Sequence, residues 1–132
     1  MREYMSWKDF MNFVDDLANK IKEKGKVYDD IYAVPRGGLI PAACLAHRLS
    51  ITSVSTSVDN INMNTLIVDD IADSGDTLIS LLDEIPIQAN IASVVKKTCA
   101  EIEPDFVAYE CDSSVWIVFP WELPDSKEEK DQ

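Results

Sequence analysis

Apolar residues recur every three or four positions through Trp7, Phe10, Met11, Val14, Leu17, Ala18 and Ile21, the spacing of one buried helical face. Ser6 with Asp9 three positions on makes a capping box for its start, and Gly25 marks its end. Beyond it the period shortens. Residues 31–34 form an apolar run of strand length, 35–38 a tight Pro-Arg-Gly-Gly turn, and 39–49 a second helix with Pro41 in its first turn. Residues 51–56 read as a strand and 66–68 as a strand buried on both faces, while Leu78, Ile79, Leu81 and Leu82 supply the apolar face of a third helix. Apolar runs at 91–95, 106–109 and 116–119 predict three further strands. Strands alternating with helices predict an α/β fold, a single domain over residues 1–124 built on an open, mostly parallel twisted sheet with helices on both faces. From Pro124 the chain turns polar and charged, which predicts a disordered tail over residues 125–132.

Where the strand at 66–68 gives way to the third helix, the chain reads Asp69-Asp70-Ile71-Ala72-Asp73-Ser74-Gly75-Asp76-Thr77. This is a phosphate-binding layout. Backbone N–H groups from about 74 to 77 are left without partners at a helix start, where the positive end of the helix dipole also sits, and the Ser74 and Thr77 hydroxyls add donors. Asp69 and Asp70, at the carboxyl end of the strand, are placed to accept hydrogen bonds from ribose hydroxyls or to hold a hydrated Mg²⁺. The earlier turn, Arg36-Gly37-Gly38, combines a planar fork of donors with a backbone free to face an anion, and in an open parallel sheet it lies at the same carboxyl edge.

The stretch 66–77 resembles the 5-phosphoribosyl-1-pyrophosphate (PRPP) motif of type I phosphoribosyltransferases: a hydrophobic strand, two acids, a third acid three positions later, then Ser, Gly, any residue and Thr. A helix-borne Asp-Asp-x-x-Asp diphosphate motif does not suit a segment that follows a strand. The Arg36–Gly38 turn resembles the pyrophosphate loop of the same family. In the C-terminal third, Val94-Val95-Lys96-Lys97 and Trp116-Ile117-Val118-Phe119-Pro120-Trp121-Glu122 resemble the base-binding elements of its bacterial xanthine-guanine branch, so the resemblance spans most of residues 6–122. It implies transfer of a phosphoribosyl group from PRPP to a 6-oxopurine, with Mg²⁺ as cofactor and Asp69 and Asp70 as the metal and ribose site. Arg36, Gly37 and Gly38 would take the pyrophosphate, and Ser74, Gly75, Asp76 and Thr77 the 5′-phosphate. Lys97 would donate to the purine 6-oxo group, with Lys96 the alternative because a one-residue slip exchanges the two faces of a strand. Trp116 would stack on the base, its other reading being a core aromatic, and the Ile117 backbone would meet the edge near the 2-substituent. Asp73 is implied as the group that takes a proton near N7.

Three features depart from that pattern. Family members carry a long lid between the strands that here end near Thr56 and begin near Thr65, and only residues 57–64 are available. Asp76 adds a negative charge beside the phosphate, and Val118 stands where the bacterial enzymes have a carboxylate close to the base. The alternative reading is therefore a catalytically weak PRPP or nucleotide sensor.

Composition narrows the partners. Twelve basic against twenty-four acidic residues leave a net charge of −12, which repels nucleic acid and anionic membranes. No run approaches the ~18 apolar residues of a membrane span, and the N-terminus lacks the build of a signal peptide, so a cytoplasmic protein is predicted. Three scattered cysteines, Cys44, Cys99 and Cys111, predict reduced thiols in or near the core. His47 is the single histidine, which argues against a His-dependent triad. A small chain without its own lid predicts a homodimer or a higher even-numbered assembly, with Trp7, Phe10 and Met11 as candidate contact area.

Overall fold

The computed structural model describes residues 1–122; the tail predicted at 125–132 lies outside them. Its elements are β1 (Arg2–Tyr4), α1 (Trp7–Lys24), β2 (Asp30–Ala33), α2 (Leu39–Leu49), β3 (Ser53–Ser55), β4 (Thr65–Ala72), α3 (Asp76–Glu84), β5 (Asn90–Lys97), β6 (Phe106–Cys111) and β7 (Trp116–Val118), with short 3-10 turns at Val58–Asn60 and Pro120–Glu122. The capping box forms: the Ser6 side chain accepts from the Asp9 amide at 3.0 Å, and the Ser6 amide donates to Asp9 Oδ2 at 3.3 Å. Gly25 ends the helix in the left-handed conformation, donating its N–H to the Lys22 carbonyl.

Strands β3-β2-β4-β5-β6 lie side by side in that order, all parallel. The alternation of side chains along them builds two cores. Ile31 and Ala33 of β2 and Leu66 and Val68 of β4 face α1 and α2, whose Phe10, Val14, Leu17 and Leu45 are fully buried. Tyr32 and Ile67 face the other way, against Leu78 and Leu81 of α3. Helices do cover both faces, as predicted, but the second face has only α3. The β3–β4 and β5–β6 crossovers carry no α-helix, and Val58, Ile61, Ala100 and Ile102 from these loops complete the cover.

Two expectations are corrected. The run at 116–119 does not join the main sheet; β7 pairs in parallel with β1 in a separate two-stranded sheet. Strand β1 was not visible in the sequence because Arg2-Glu3-Tyr4 has no apolar alternation of its own and exists as a strand through its ladder to β7. Cys99 is exposed, whereas Cys111 is buried and Cys44 half-buried. The helix residues considered for a subunit contact divide likewise: Phe10 is fully buried, and Trp7, half exposed, packs edge-on against it with centroids 6.0 Å apart.

Leu66 is fully buried in the central strand. Leu66→Ala should lower the unfolding free energy by roughly 2–5 kcal/mol, read from urea denaturation.

Candidate active site

The central strand β4 continues past its apolar half, so Asp69 and Asp70 are ladder residues at its carboxyl end, with Asp69 opposite Ser93 of β5. Its neighbour β2 runs out at Ala33 into the turn that carries Arg36. Both turns therefore open on one edge of the sheet, around a cleft of about 410 Å³ lined by Arg36, Gly37, Asp69, Asp70 and the 73–77 loop, with Glu122 at its rim. The Val34 amide donates to the Val68 carbonyl at 3.0 Å, fastening the first turn to β4 just before the acids. Gly38 is wedged into the same place: a Cβ there would lie 2.5 Å from the Val68 carbonyl oxygen and 2.7 Å from that of Val34. One expected donor is lost by this arrangement. The Gly38 N–H, which the sequence reading aimed at an anion, donates to the Val34 carbonyl at 2.8 Å. The Gly37 N–H has no partner among the described residues. The Pro35–Arg36 peptide bond is cis.

At the second turn Gly75 precedes α3 with φ +94°, a conformation that favours glycine. The N–H groups of Gly75 and Thr77 have no partner among the described residues, whereas that of Asp76 donates to Ser74 Oγ at 3.2 Å. The open amides and the helix dipole make an anion cradle. The loop is braced from behind by the Glu101 N–H, which donates to the Ser74 carbonyl at 2.9 Å, and by Ile102, packed against Gly75.

The acids are held close. Asp69 is 7% exposed, and its Oδ1 accepts from the Asp70 amide at 2.8 Å; Asp70 Oδ1 in turn accepts from the Ile71 amide at 2.7 Å. Burial, with the Asp70 carboxyl beside it, pushes the pKa of Asp69 up to about 8. No group of three or more His, Cys, Asp or Glu among the described residues is arranged to hold a metal. Two carboxylates with no third protein ligand are still a donor set for Mg²⁺, which keeps several waters and shares phosphate oxygens with its substrate. The residues fit such a cation.

Adjacent lysines on β5 reach opposite surroundings. Lys96 pairs with Glu103 at 3.0 Å and Glu110 at 3.5 Å, contacts that raise its pKa, the Glu103 hydrogen bond foremost. Lys97, with its side chain 7% exposed, extends to Asp73 Oδ2 at 3.4 Å and lies 5.7 Å from the centroid of the Trp116 ring. The indole is 62% exposed rather than buried in the core, and Ile117 beside it is buried. Lys97 thus brings the phosphate loop and the C-terminal aromatic segment together. Sequence reasoning gave no role to Glu101 or Ile102, which act through loop contacts that no periodicity encodes, and it named Glu122 as the end of the base-binding segment rather than as a residue of this cleft. Nor did it place Cys99, whose Sγ lies 3.5 Å from the Asp73 carbonyl oxygen.

A family model for the phosphoribosyl transferase domain matches residues 53–128, more than half of the chain. With this fold and this cleft, the chain belongs to the phosphoribosyltransferase family of enzymes. Within that family it is similar to xanthine-guanine phosphoribosyltransferases. That of Vibrio parahaemolyticus is 31% identical over 137 residues, covering 90% of this chain and 88% of the relative. That of Nitratidesulfovibrio vulgaris is 30% identical over 137 residues, covering 89% and 83%. Among solved structures, the purine phosphoribosyltransferase of Pyrococcus horikoshii superposes with a TM-score of 0.79 at 28% identity over 93% of this chain and 95% of that one. The xanthine-guanine-hypoxanthine phosphoribosyltransferase of Helicobacter pylori superposes over the whole of both chains with a TM-score of 0.82 at 24% identity, a likeness of fold.

The raised pKa of Asp69 has a stability consequence whose sign is fixed. Between the ordinary carboxyl value and about 8, the folded state binds the proton and the unfolded chain does not, so this group's stabilising contribution falls as pH rises through that window. Asp69→Asn should remove that dependence, melting close to wild type near pH 4 and above it at pH 8, by an amount on the order of a few kcal/mol. Melting curves of both proteins from pH 4 to 9 check this; parallel profiles would contradict it.

Proposed function

We propose that this chain transfers the 5-phosphoribosyl group of PRPP to a 6-oxopurine (guanine, xanthine or hypoxanthine), giving the nucleoside 5′-monophosphate and pyrophosphate, as a cytoplasmic homo-oligomer of even number. The observation that carries the reading is Lys97. It is a buried cation that pairs with Asp73, a lining residue of the cleft, and lies over the face of exposed Trp116, beside the position a base would take next to the ribose. Similarity to purine-type relatives at about 30% identity supports it.

In this scheme the amides of Gly75 and Thr77 hold the 5′-phosphate, Asp69 and Asp70 accept from the ribose hydroxyls, and Arg36 with the Gly37 amide meets the pyrophosphate. Trp116 gives the base an apolar face, and Lys97 donates to its 6-oxo oxygen. A ring nitrogen of the purine attacks the anomeric carbon as the bond from that carbon to the pyrophosphate oxygen breaks, its electron pair leaving with pyrophosphate. Asp73 takes the proton released from the base. Asp69 and Asp70 would hold Mg²⁺, which would supply positive charge to the phosphates. The protein's own contribution is positioning and electrostatic stabilisation, with no covalent intermediate.

One observation favours a second reading, a PRPP or nucleotide sensor with weak chemistry. The 57–64 segment is spent on the crossover from β3 to β4. Its Val58 and Ile61 pack into the second core, and Asn60 Nδ2 donates to Ser55 Oγ at 3.0 Å. A segment fixed in this way is not a lid over the cleft.

Assay with each of the three bases separates the readings. The enzyme should form the monophosphate and pyrophosphate from at least one base, and binding of Mg-PRPP without turnover of any would leave the sensor. Asp73→Asn should lower kcat by about 10²- to 10⁴-fold while PRPP affinity stays near wild type. A full rate across the pH range would remove Asp73 as the proton acceptor.

A further inference from the structure

The strand that presents Trp116 is not part of the main sheet, whereas Lys97, which the indole faces, is on β5 and its partner Asp73 is in the loop that follows β4. Among the described residues, β7 forms its ladder with β1 alone, in the register Arg2 to Trp116, Glu3 to Ile117 and Tyr4 to Val118. The Trp116 amide donates to the Met1 carbonyl at 2.7 Å, and the Met5 amide to the Val118 carbonyl at 2.9 Å. The height of the indole above Lys97 therefore follows β1. Among the described residues, one side-chain hydrogen bond joins β1 to the main sheet: the Tyr109 hydroxyl of β6 donates to the Glu3 carboxylate, 2.9 Å from Oε1 and 3.1 Å from Oε2. Tyr109 is itself aimed by α1, its ring stacked on Phe13 with centroids 5.2 Å apart and planes 13° from parallel. Glu3 is thus a residue whose backbone pairs with the base-presenting strand while its side chain is fastened to the sheet that carries the phosphoribosyl machinery.

We infer that Glu3 and Tyr109 are positioning residues for the base, holding the β1–β7 sheet at the separation from Lys97 that lets a purine fit against Trp116. Neither touches the cleft, and neither bears on the PRPP side. The inference rests on the purine-transfer reading and adds to it a division of labour: the base half of the site is mounted on a part of its own, joined to the rest by a charge-assisted hydrogen bond. Other contacts brace this part from the β7 side. The β6–β7 turn is held to the end of β5 by a 2.9 Å bond between the Thr98 and Ser113 hydroxyls, and Ile117 packs into the first core.

The test compares four proteins by steady-state kinetics, varying the purine and PRPP separately. Tyr109→Phe keeps the ring stacked on Phe13 and removes only the hydroxyl, Glu3→Ala removes the acceptor, and Glu3→Gln retains an oxygen that can accept. The KM for the purine should rise roughly fivefold or more in Tyr109→Phe and Glu3→Ala, the scale of a lost hydrogen bond to a charged group, with the KM for PRPP within about twofold of wild type and Glu3→Gln close to wild type. A merely structural role would raise both constants together or lower only the yield of folded protein. Should Glu3→Ala fail to fold, Tyr109→Phe alone decides. Wild-type kinetics for both substrates in Tyr109→Phe, or a parallel rise in both KM values, overturns the inference and leaves the proposed function standing. A wild-type protein that binds PRPP but neither purine nor nucleoside monophosphate removes the proposed function itself, and this inference with it.

Discussion

The hydrogen bond from the Val34 amide to the Val68 carbonyl is where the geometry of the cleft is set. It extends the β2–β4 ladder by one rung beyond β2, bringing the end of one strand against the middle of the next, and it leaves room between the backbones only for a residue without a side chain. Everything on the cleft's floor depends on that closeness. Arg36 is carried on the turn that the bond starts, the acids on the strand that it holds, and α2 begins at Leu39 because Gly38 accepts the first bond of the helix from Ala42. The same contact closes off the Gly38 N–H as an anion donor, so tight packing between the strands is obtained at the cost of one ligand contact.

The proposed substrate is a polyanion and the chain carries a net charge of −12, so charge at the cleft has to be managed locally. Burial, with the neighbouring carboxyl, raises the pKa of Asp69, which favours its neutral form and lowers the negative charge of the floor. Backbone N–H groups, which carry no counter-charge of their own, make the phosphate cradle at Gly75 and Thr77. Arg36 stands on the first turn at the cleft, and Lys97 lies beside Asp73 and Trp116. Lys96, one residue from Lys97, is neutralised by Glu103 and Glu110 on the far face.

Much of this was legible in the chain because it is local. The helix at residues 7–24, its capping box, the second helix from Leu39 and the strand–acid–turn–helix order of 66–84 all follow from spacing and from the residue types that turns demand. That Lys97 lies beside Asp73 follows the resemblance, with Lys96 kept as the alternative, since alternation tells two faces apart but not which one is which until the sheet is assembled. What stayed hidden was non-local. Strand β1 exists through residues more than a hundred positions away, the bracing of Ser74 comes from the amide of Glu101, and the short 57–64 loop is a core-covering crossover only because the strand order places β2 between β3 and β4.

The pairing of β1 with β7 also bears on how the protein assembles. Joining residues 2–4 to residues 116–118 closes nearly the whole chain into a loop, so the entropy lost is repaid only after the main sheet has already drawn the ends together. The phosphate cradle, made by a strand and a helix adjacent in sequence, has no such debt and forms among the early native contacts. By the same argument the β1–β7 ladder, which joins the first strand to the last, is the late-closing part of the architecture, and β4 in the middle of the main sheet an early one. The strand that carries Trp116 is in this sense among the last parts of the chain to find its partner on folding.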